Sequence, residues 1–128
     1  MARKQSPTLT EGELKVMSVL WDREEASVRE VTDALSEQQP VAYSTALTML
    51  RILNDKGYAA YRKEGRAFVY YPLVSRQEAR SHALRHLIAK FFNGSPEALA
   101  QNLVDETDID LAELERLQAN LEKKGDKR

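Results

Sequence analysis

The feature that most constrains the fold is a change in hydrophobic period at Gly57. Across residues 43–56 the apolar side chains recur at helical spacing, whereas across residues 58–71 the side chains alternate with a period of two. Glu64 and Gly65 interrupt this alternation, as a tight turn would. The stretch therefore predicts a helix that ends at Gly57 and is followed by a β-hairpin.

Capping boxes predict where other helices begin, because a short polar side chain and a glutamate three residues later satisfy each other's free backbone N–H groups. The pattern occurs at Thr10/Glu13, Ser27/Glu30, Ser75/Glu78 and Asp110/Glu113, and Ser95-Pro96 is another typical helix start. The predicted order is three helices, two strands and three helices. We expect a mainly α fold with a small β-hairpin, in which residues 1–73 form an N-terminal winged-helix DNA-binding domain and residues 74–128 form a C-terminal helical dimerisation domain.

Composition excludes several classes of protein. The sequence has no cysteine, which excludes disulfides and thiolate metal sites, and its hydrophobic fraction of 42% argues against disorder. No apolar run approaches the roughly 20 residues that a membrane helix requires, and the N-terminal residues lack the apolar stretch of a signal peptide. We expect a soluble, cytoplasmic protein that does not interact with a membrane.

The net charge of −1 conceals opposite charges in the two halves of the chain. Residues 41–73 contain five basic and two acidic residues, which gives +3, whereas residues 97–115 contain seven acidic residues and no basic one, which gives −7. The first segment suits a phosphate backbone, and the second would be repelled by it. This asymmetry indicates different roles for the two halves.

The expected DNA-binding residues lie on the polar face of the third helix and in the hairpin. A helix fits the major groove, where hydroxyl and guanidinium groups reach base edges, and a basic hairpin reaches the backbone or the minor groove. The predicted DNA-binding residues are Tyr43, Ser44, Thr45, Thr48, Arg51, Arg62, Lys63 and Arg66.

The apolar residues of the last three helices predict a homodimer. About 50 residues rarely form a self-sufficient core, so a second copy is expected to complete it. The predicted dimerisation residues are Leu84, Leu87, Ile88, Phe91, Leu99, Leu103, Leu114, Leu117 and Leu121.

No arrangement of residues indicates catalysis or a cofactor, and we expect neither. Glu78, His82 and His86 follow one another at four-residue spacing, so the two histidines are weak candidates for a metal site that needs a further ligand. Two alternatives to a DNA-binding regulator stay open: a metal-responsive regulator that uses His82 and His86, and a winged-helix adaptor that binds proteins through its acidic helices.

Several strings of the sequence together resemble the penicillinase-repressor family, that is, the BlaI/MecI and CopY type of winged-helix transcriptional regulator. These strings are LTEGELKVMSVLWD, SVREVTDAL, AYSTALTMLRILNDKGY, KEGRAFVYYPLVSR and FFNGSPEALAQNLVDE. The resemblance implies a homodimeric, antibiotic-response-like repressor on an inverted-repeat operator with a TACA/TGTA core. It places the third helix, with Ser44, Thr45, Thr48 and Arg51, in the major groove, and it assigns Arg62–Arg66 to the wing.

The resemblance also implies a mode of release. In the members that respond to β-lactams, a membrane sensor triggers proteolysis of an Asn-Phe bond in the dimerisation domain, and the matching position here is Asn102-Leu103. A sensor-linked protease is therefore a possible partner, although leucine replaces the phenylalanine. The copper-responsive members carry a C-terminal cysteine motif that this sequence lacks.

Overall fold

The structure, a computed structural model, describes residues 8–106 and 110–125, apart from the side chains at positions 111, 114 and 121–125. The predicted helix starts are present in it. Thr10 Oγ1 accepts the Glu13 N–H at 3.2 Å, and Glu13 Oε1 accepts the Thr10 N–H at 2.9 Å. The boxes that begin at Ser27, Ser75 and Asp110 close in the same way. All four predicted capping boxes are confirmed.

The described chain contains six helices and three strands in two compact units, the first reaching to His86 and the second beginning at Leu87. The elements are α1 (Glu11–Arg23), β1 (Ala26–Ser27), α2 (Val28–Leu35), α3 (Tyr43–Lys56), β2 (Ala59–Glu64), β3 (Ala67–Pro72), α4 (Arg76–Phe91), α5 (Pro96–Glu106) and α6 (Leu111–Gly125). The mainly α fold with a small antiparallel sheet is as predicted.

Three helices and the sheet enclose the hydrophobic core of the first unit. Apolar side chains on the facing sides of α1, α2 and α3 are completely buried, and Tyr58 and Tyr70 close the core from the side of the sheet. The helical residues with no exposed surface are Val16, Met17, Leu20, Val31, Ala46, Leu50 and Leu53. Each such aliphatic side chain of leucine or valine size contributes about 1.5–3 kcal/mol by leaving water. This core fixes α3 against the other two helices.

The sheet has the strand order β1-β3-β2, and both of its pairs are antiparallel. Strands β2 and β3 pair over their full length, from Ala59 opposite Pro72 to Glu64 opposite Ala67. The short strand β1, which the sequence did not predict, adds to the other edge of β3 through Ala26 opposite Tyr70. The hairpin is thereby attached to the segment that leads into α2.

A partly buried ion pair attaches the end of α3 to the start of α1. The Lys56 Nζ donates to Glu13 Oε1 at 2.7 Å, with side-chain exposures of 21% and 8%. Burial of the Glu13 carboxylate opposes its ionisation, but the hydrogen bonds from Lys56 and the Thr10 backbone outweigh that effect and lower its pKa. Gly57 then ends α3 with a φ of 86°, a left-handed conformation that glycine adopts without strain.

The helices beyond Leu87 carry many apolar side chains that are not buried. In the described part of this second unit no side chain is fully buried, and Phe91 retains 73% of its exposure. The turn between α4 and α5 is well defined, because Asn93 and Gly94 adopt positive φ and the Ser95 hydroxyl accepts the Ala98 N–H at 3.1 Å. The second unit is therefore well formed locally but lacks a core of its own within these residues.

Candidate nucleic-acid interface

The outer face of α3 is polar and accessible. The core side chains Ala46, Leu50 and Leu53 occupy the inner face, and this leaves the predicted contact residues pointing outward. Tyr43, Ser44, Thr45, Thr48 and Arg51 are all exposed. A helix with small hydroxyl side chains and one long guanidinium on its free face can approach base edges closely.

The wing hairpin ends in a short turn that carries two exposed cations. Gly65 has a φ of 60° at the tip, and Lys63 and Arg66 on either side of it are exposed. Among the described residues, neither Lys63 nor Arg66 forms an ion pair. These two side chains are suited to contact a phosphate backbone.

Arg62 is arranged differently from the other predicted wing contacts. Its guanidinium forms a two-pronged pair with the Glu25 carboxylate, at 2.9 and 2.8 Å, and it also contacts Glu64. The hydrogen bonds from Arg62 lower the pKa of Glu25. In this arrangement Arg62 joins the hairpin to the residues before β1, and its positive charge is already paired.

Arg29 lies beside the predicted interface, although the sequence had not indicated it as a contact. It projects from the first turn of α2, and its guanidinium carbon lies 5.7 Å from the centre of the Tyr43 ring. Only the packing of α2 against α3 brings these two residues together, 14 positions apart in the sequence. Local sequence patterns carried no signal for this contact.

The predicted dimerisation residues that can be described are exposed or half-buried. The exposed fractions are 48% for Leu84, 37% for Leu87, 73% for Phe91, 37% for Leu103 and 52% for Leu117. Ile88 and Leu99 are half-buried, and the side chains of Leu114 and Leu121 lie outside the described residues.

The candidate cleavage position, Asn102-Leu103, lies inside α5, and both side chains are exposed. A bond in this position is on the surface, but the helical backbone around it is hydrogen-bonded. Cleavage would therefore require local unwinding of α5.

Nothing in the described chain assembles a metal site or a membrane span. Across residues 8–106 and 110–125, no three histidine, cysteine or acidic side chains are grouped closely enough to hold a metal ion. The Glu78 carboxylate accepts the Ser75 N–H at 2.7 Å as part of a capping box, so Glu78 already has a structural role and is not available as a third metal ligand beside His82 and His86. Over the same residues, no helix is both long and apolar enough to cross a membrane.

Two solved structures of the repressor BlaI resemble about three fifths of the chain. The solution structure of the DNA-binding domain of the repressor BlaI is 36% identical, with a TM-score of 0.54, and the match covers 59% of this chain and 93% of that one. The monomeric form of Bacillus licheniformis BlaI in complex with the blaP half-operator is also 36% identical, with a TM-score of 0.50 and the same coverage.

The sequence comparisons extend over nearly the whole chain. The penicillinase repressor of Bacillus licheniformis is 31% identical over 122 residues, which cover 93% of each protein. The profile of the penicillinase repressor family matches residues 9–123.

The fold and these matches define a winged-helix transcriptional regulator. More particularly, the chain belongs to the penicillinase repressor family, whose members are DNA-binding regulators and not enzymes. The family resemblance drawn from the sequence is thus confirmed.

Proposed function

We propose that this chain is a transcriptional repressor that binds an inverted-repeat operator as a homodimer. Its DNA-binding domain would span residues 1–73 and its dimerisation domain residues 74–128. Helix α3 would enter the major groove while the wing holds the backbone. The observation that carries this proposal is the exposed row of hydroxyl groups and Arg51 on α3, beside the cationic wing tip.

The residues divide into two kinds of contact. Ser44, Thr45, Thr48 and Arg51 would face base edges, and a guanidinium in this position is suited to a two-pronged contact with guanine. Lys63 and Arg66 would contact phosphates, which carry no sequence information. The half-operator complex of the related Bacillus licheniformis BlaI, which is 36% identical over 59% of this chain, supports DNA binding by the matched part.

The test is fluorescence anisotropy with a duplex taken from the DNA upstream of the chain's own gene and with a scrambled duplex of equal length, at several salt concentrations. A repressor binds the first duplex more tightly, and its affinity falls steeply with salt because counterions are released from phosphates. Equal or absent binding would refute the proposal and favour the protein-interaction adaptor. Binding that appears only with added zinc or copper would instead favour the metal-responsive regulator.

Dimerisation is proposed because the second unit leaves its apolar side chains without a core. Phe91, Leu103 and Leu117, one on each of its three helices, keep 73%, 37% and 52% of their exposure, which is unusual for large apolar side chains. A second copy would cover them. Tethering two winged helices makes the second half-site contact intramolecular, which raises affinity by roughly 10²–10⁴.

The dimer proposal is tested with Leu117→Asp, which places a charge at the proposed interface. We expect a monomer by sedimentation and a loss of operator affinity of about a hundred-fold or more, since the tethering effect is lost. Gln118→Asp is the matched control, because it adds the same charge at an exposed polar neighbour. Normal operator affinity of a demonstrably monomeric Leu117→Asp would refute the coupling of dimerisation to binding.

Release would follow from any event that disrupts the second unit, and Asn102-Leu103 is the candidate bond for proteolysis by a sensor-linked protease. Intact-mass measurement of the chain, recovered from induced cells, should reveal a fragment that ends at Asn102. A chain that stays intact while the operator is released would exclude cleavage as the signal.

A further inference from the structure

A cleft of about 450 Å³ separates the wing from the starts of α2 and α3. Arg29 and Tyr43 line it on the helical side, and Arg66 and Phe68 line it on the side of the hairpin. It lies beside the polar face of α3, and residues of α2, α3 and all three strands contribute to its walls. The cleft thus lies between α3 and the wing tip.

The cleft carries two guanidinium groups that are free of ion pairs within the described residues. Arg29 and Arg66 are exposed, and neither forms an ion pair with another residue of the described chain. Glu64 also lines the cleft, but its carboxylate is engaged by Arg62. The nearby Glu30 carboxylate accepts the Ser27 N–H at 2.8 Å in its capping box. Both carboxylates are thus held by other groups.

The Tyr43 ring lies beside the Arg29 guanidinium. The guanidinium lies 5.7 Å from the ring centre, within the range of a cation–π interaction, which restricts a side chain that would otherwise move freely. A guanidinium that is fixed by stacking keeps its N–H groups free at its edge for a phosphate. Tyr43, predicted from the sequence as a DNA contact, is thus also placed to orient Arg29.

We propose that Arg29, stacked on Tyr43 and facing Arg66 across this cleft, binds a phosphate of the DNA backbone between the segments contacted by α3 and by the wing. This inference rests on the proposed function and adds a contact from α2 that sequence patterns do not indicate. Phosphate binding here positions the duplex on the protein but reads no base.

The expected size of the effect follows from counterion release. One lost phosphate contact reduces the slope of log affinity against log salt by about 0.9, which near 0.15 M salt is about a five-fold loss of affinity. A dimer has two such clefts, so a full inverted repeat should lose about 1.8 in slope and about thirty-fold in affinity. Operator and scrambled duplexes should lose equally.

The experiment is anisotropy with the duplex from upstream of the gene and its scrambled counterpart, using the full-length chain. Arg29→Gln should show the reduced slope on both duplexes, whereas Arg29→Lys should keep the slope because it keeps the charge. Lys15→Gln is the matched control, because it removes one exposed cation from α1, which does not line this cleft. Thermal unfolding of each variant establishes that it is folded.

The positioning role is tested separately at Tyr43. Tyr43→Phe keeps the ring and should lose less affinity than Tyr43→Leu, which removes it. Tyr43→Leu combined with Arg29→Gln should be no weaker than Arg29→Gln alone. Equal losses for Tyr43→Phe and Tyr43→Leu would overturn the stacking role.

The two proposals fail in different ways. If the unmodified chain binds its operator tightly and with salt dependence while Arg29→Gln keeps the full slope, the phosphate site is refuted and the repressor function stands. A loss confined to the operator duplex would also refute it, because that result would make Arg29 a base contact. If the unmodified chain does not bind DNA, both proposals fall.

Discussion

Replacing Lys56 with methionine should destabilise the winged-helix unit more than a surface substitution would. The change keeps the length of the side chain but leaves the Glu13 carboxylate, only 8% exposed, without its cationic partner. A hydrogen bond to a charged group contributes about 1.5–3 kcal/mol, and breaking a fully buried ion pair costs about 3–5 kcal/mol. Because a fifth of the Lys56 side chain reaches solvent, we expect a loss of about 2 kcal/mol.

The assay is urea denaturation followed by the fluorescence of Trp21, the single tryptophan of the chain, whose indole N–H donates to the Val74 carbonyl at 2.9 Å. In a parallel thermal unfolding experiment, a loss of 2 kcal/mol would lower the melting temperature of a unit of this size by about 10 °C. Lys15→Met is the control, because it makes the same change at an exposed position of α1.

The effect should depend on pH in a definite direction. The native pKa of Glu13 lies below its ordinary value of 4.5, so the stabilisation from its ionised form is complete above that value. It is lost as pH falls through the lowered native pKa. The difference in unfolding free energy between the unmodified chain and Lys56→Met should therefore be full at pH 7 and should shrink below about pH 4.5.

The double variant Glu13→Gln/Lys56→Met removes the uncompensated charge and should recover much of the stability lost by Lys56→Met alone. A loss of less than about 0.5 kcal/mol for Lys56→Met at pH 7 would show that the pair behaves like an ordinary surface ion pair. In that case the attachment of α3 to α1 would depend on the apolar core alone.

Three further predictions concern the wing and helix α3. Arg51→Ala should cost about 1–3 kcal/mol on the operator and less on a scrambled duplex, whereas Lys63→Ala should weaken both alike; equal losses for Arg51→Ala would show that it contacts only phosphate. Glu25→Gln should free Arg62 from Glu25 and raise the affinity for both duplexes at low salt. A weaker complex by anisotropy would show that the pair of Arg62 with Glu25 is needed to orient the wing. Gly65→Ala should lower the unfolding free energy measured in urea by about 1 kcal/mol, and Gly65→Asn should lower it less. A φ of 60° strains alanine more than asparagine, and nothing crowds the added Cβ. Equal losses for the two variants would contradict this reasoning.

The parts of the fold that sequence reasoning predicted are those that local chemistry determines. The capping boxes, the end of α3 at Gly57 and the hairpin turn each depend on residues within a few positions of one another. Helix α3 begins and ends at the predicted residues, Tyr43 and Lys56. Such features are legible because each involves backbone groups that neighbouring side chains satisfy.

The parts that sequence reasoning missed depend on contacts between distant residues. Strand β1 has only two residues, which is too short to show alternation, and it exists because Ala26 and Ser27 pair with β3. The pairing of Arg62 with Glu25 joins residues 37 positions apart. Only the folded chain shows that Arg62 is already engaged; the assignment of the other contact residues and of the dimer stays a prediction.

The register of the sheet attaches the wing hairpin to the domain at its base and leaves its tip free of strand β1. Among the described strands, β3 is paired on both edges at Val69 and Tyr70, but only with β2 toward Ala67 at the tip. The ion pair between Arg62 and Glu25 adds a second attachment at the same level, since Arg62 lies opposite Val69 in the sheet. We therefore expect the hairpin to bend more easily toward its turn. A force on the tip should bend the hairpin before that force tilts α3. In the proposed complex, such a wing would follow grooves of different width while α3 keeps its position.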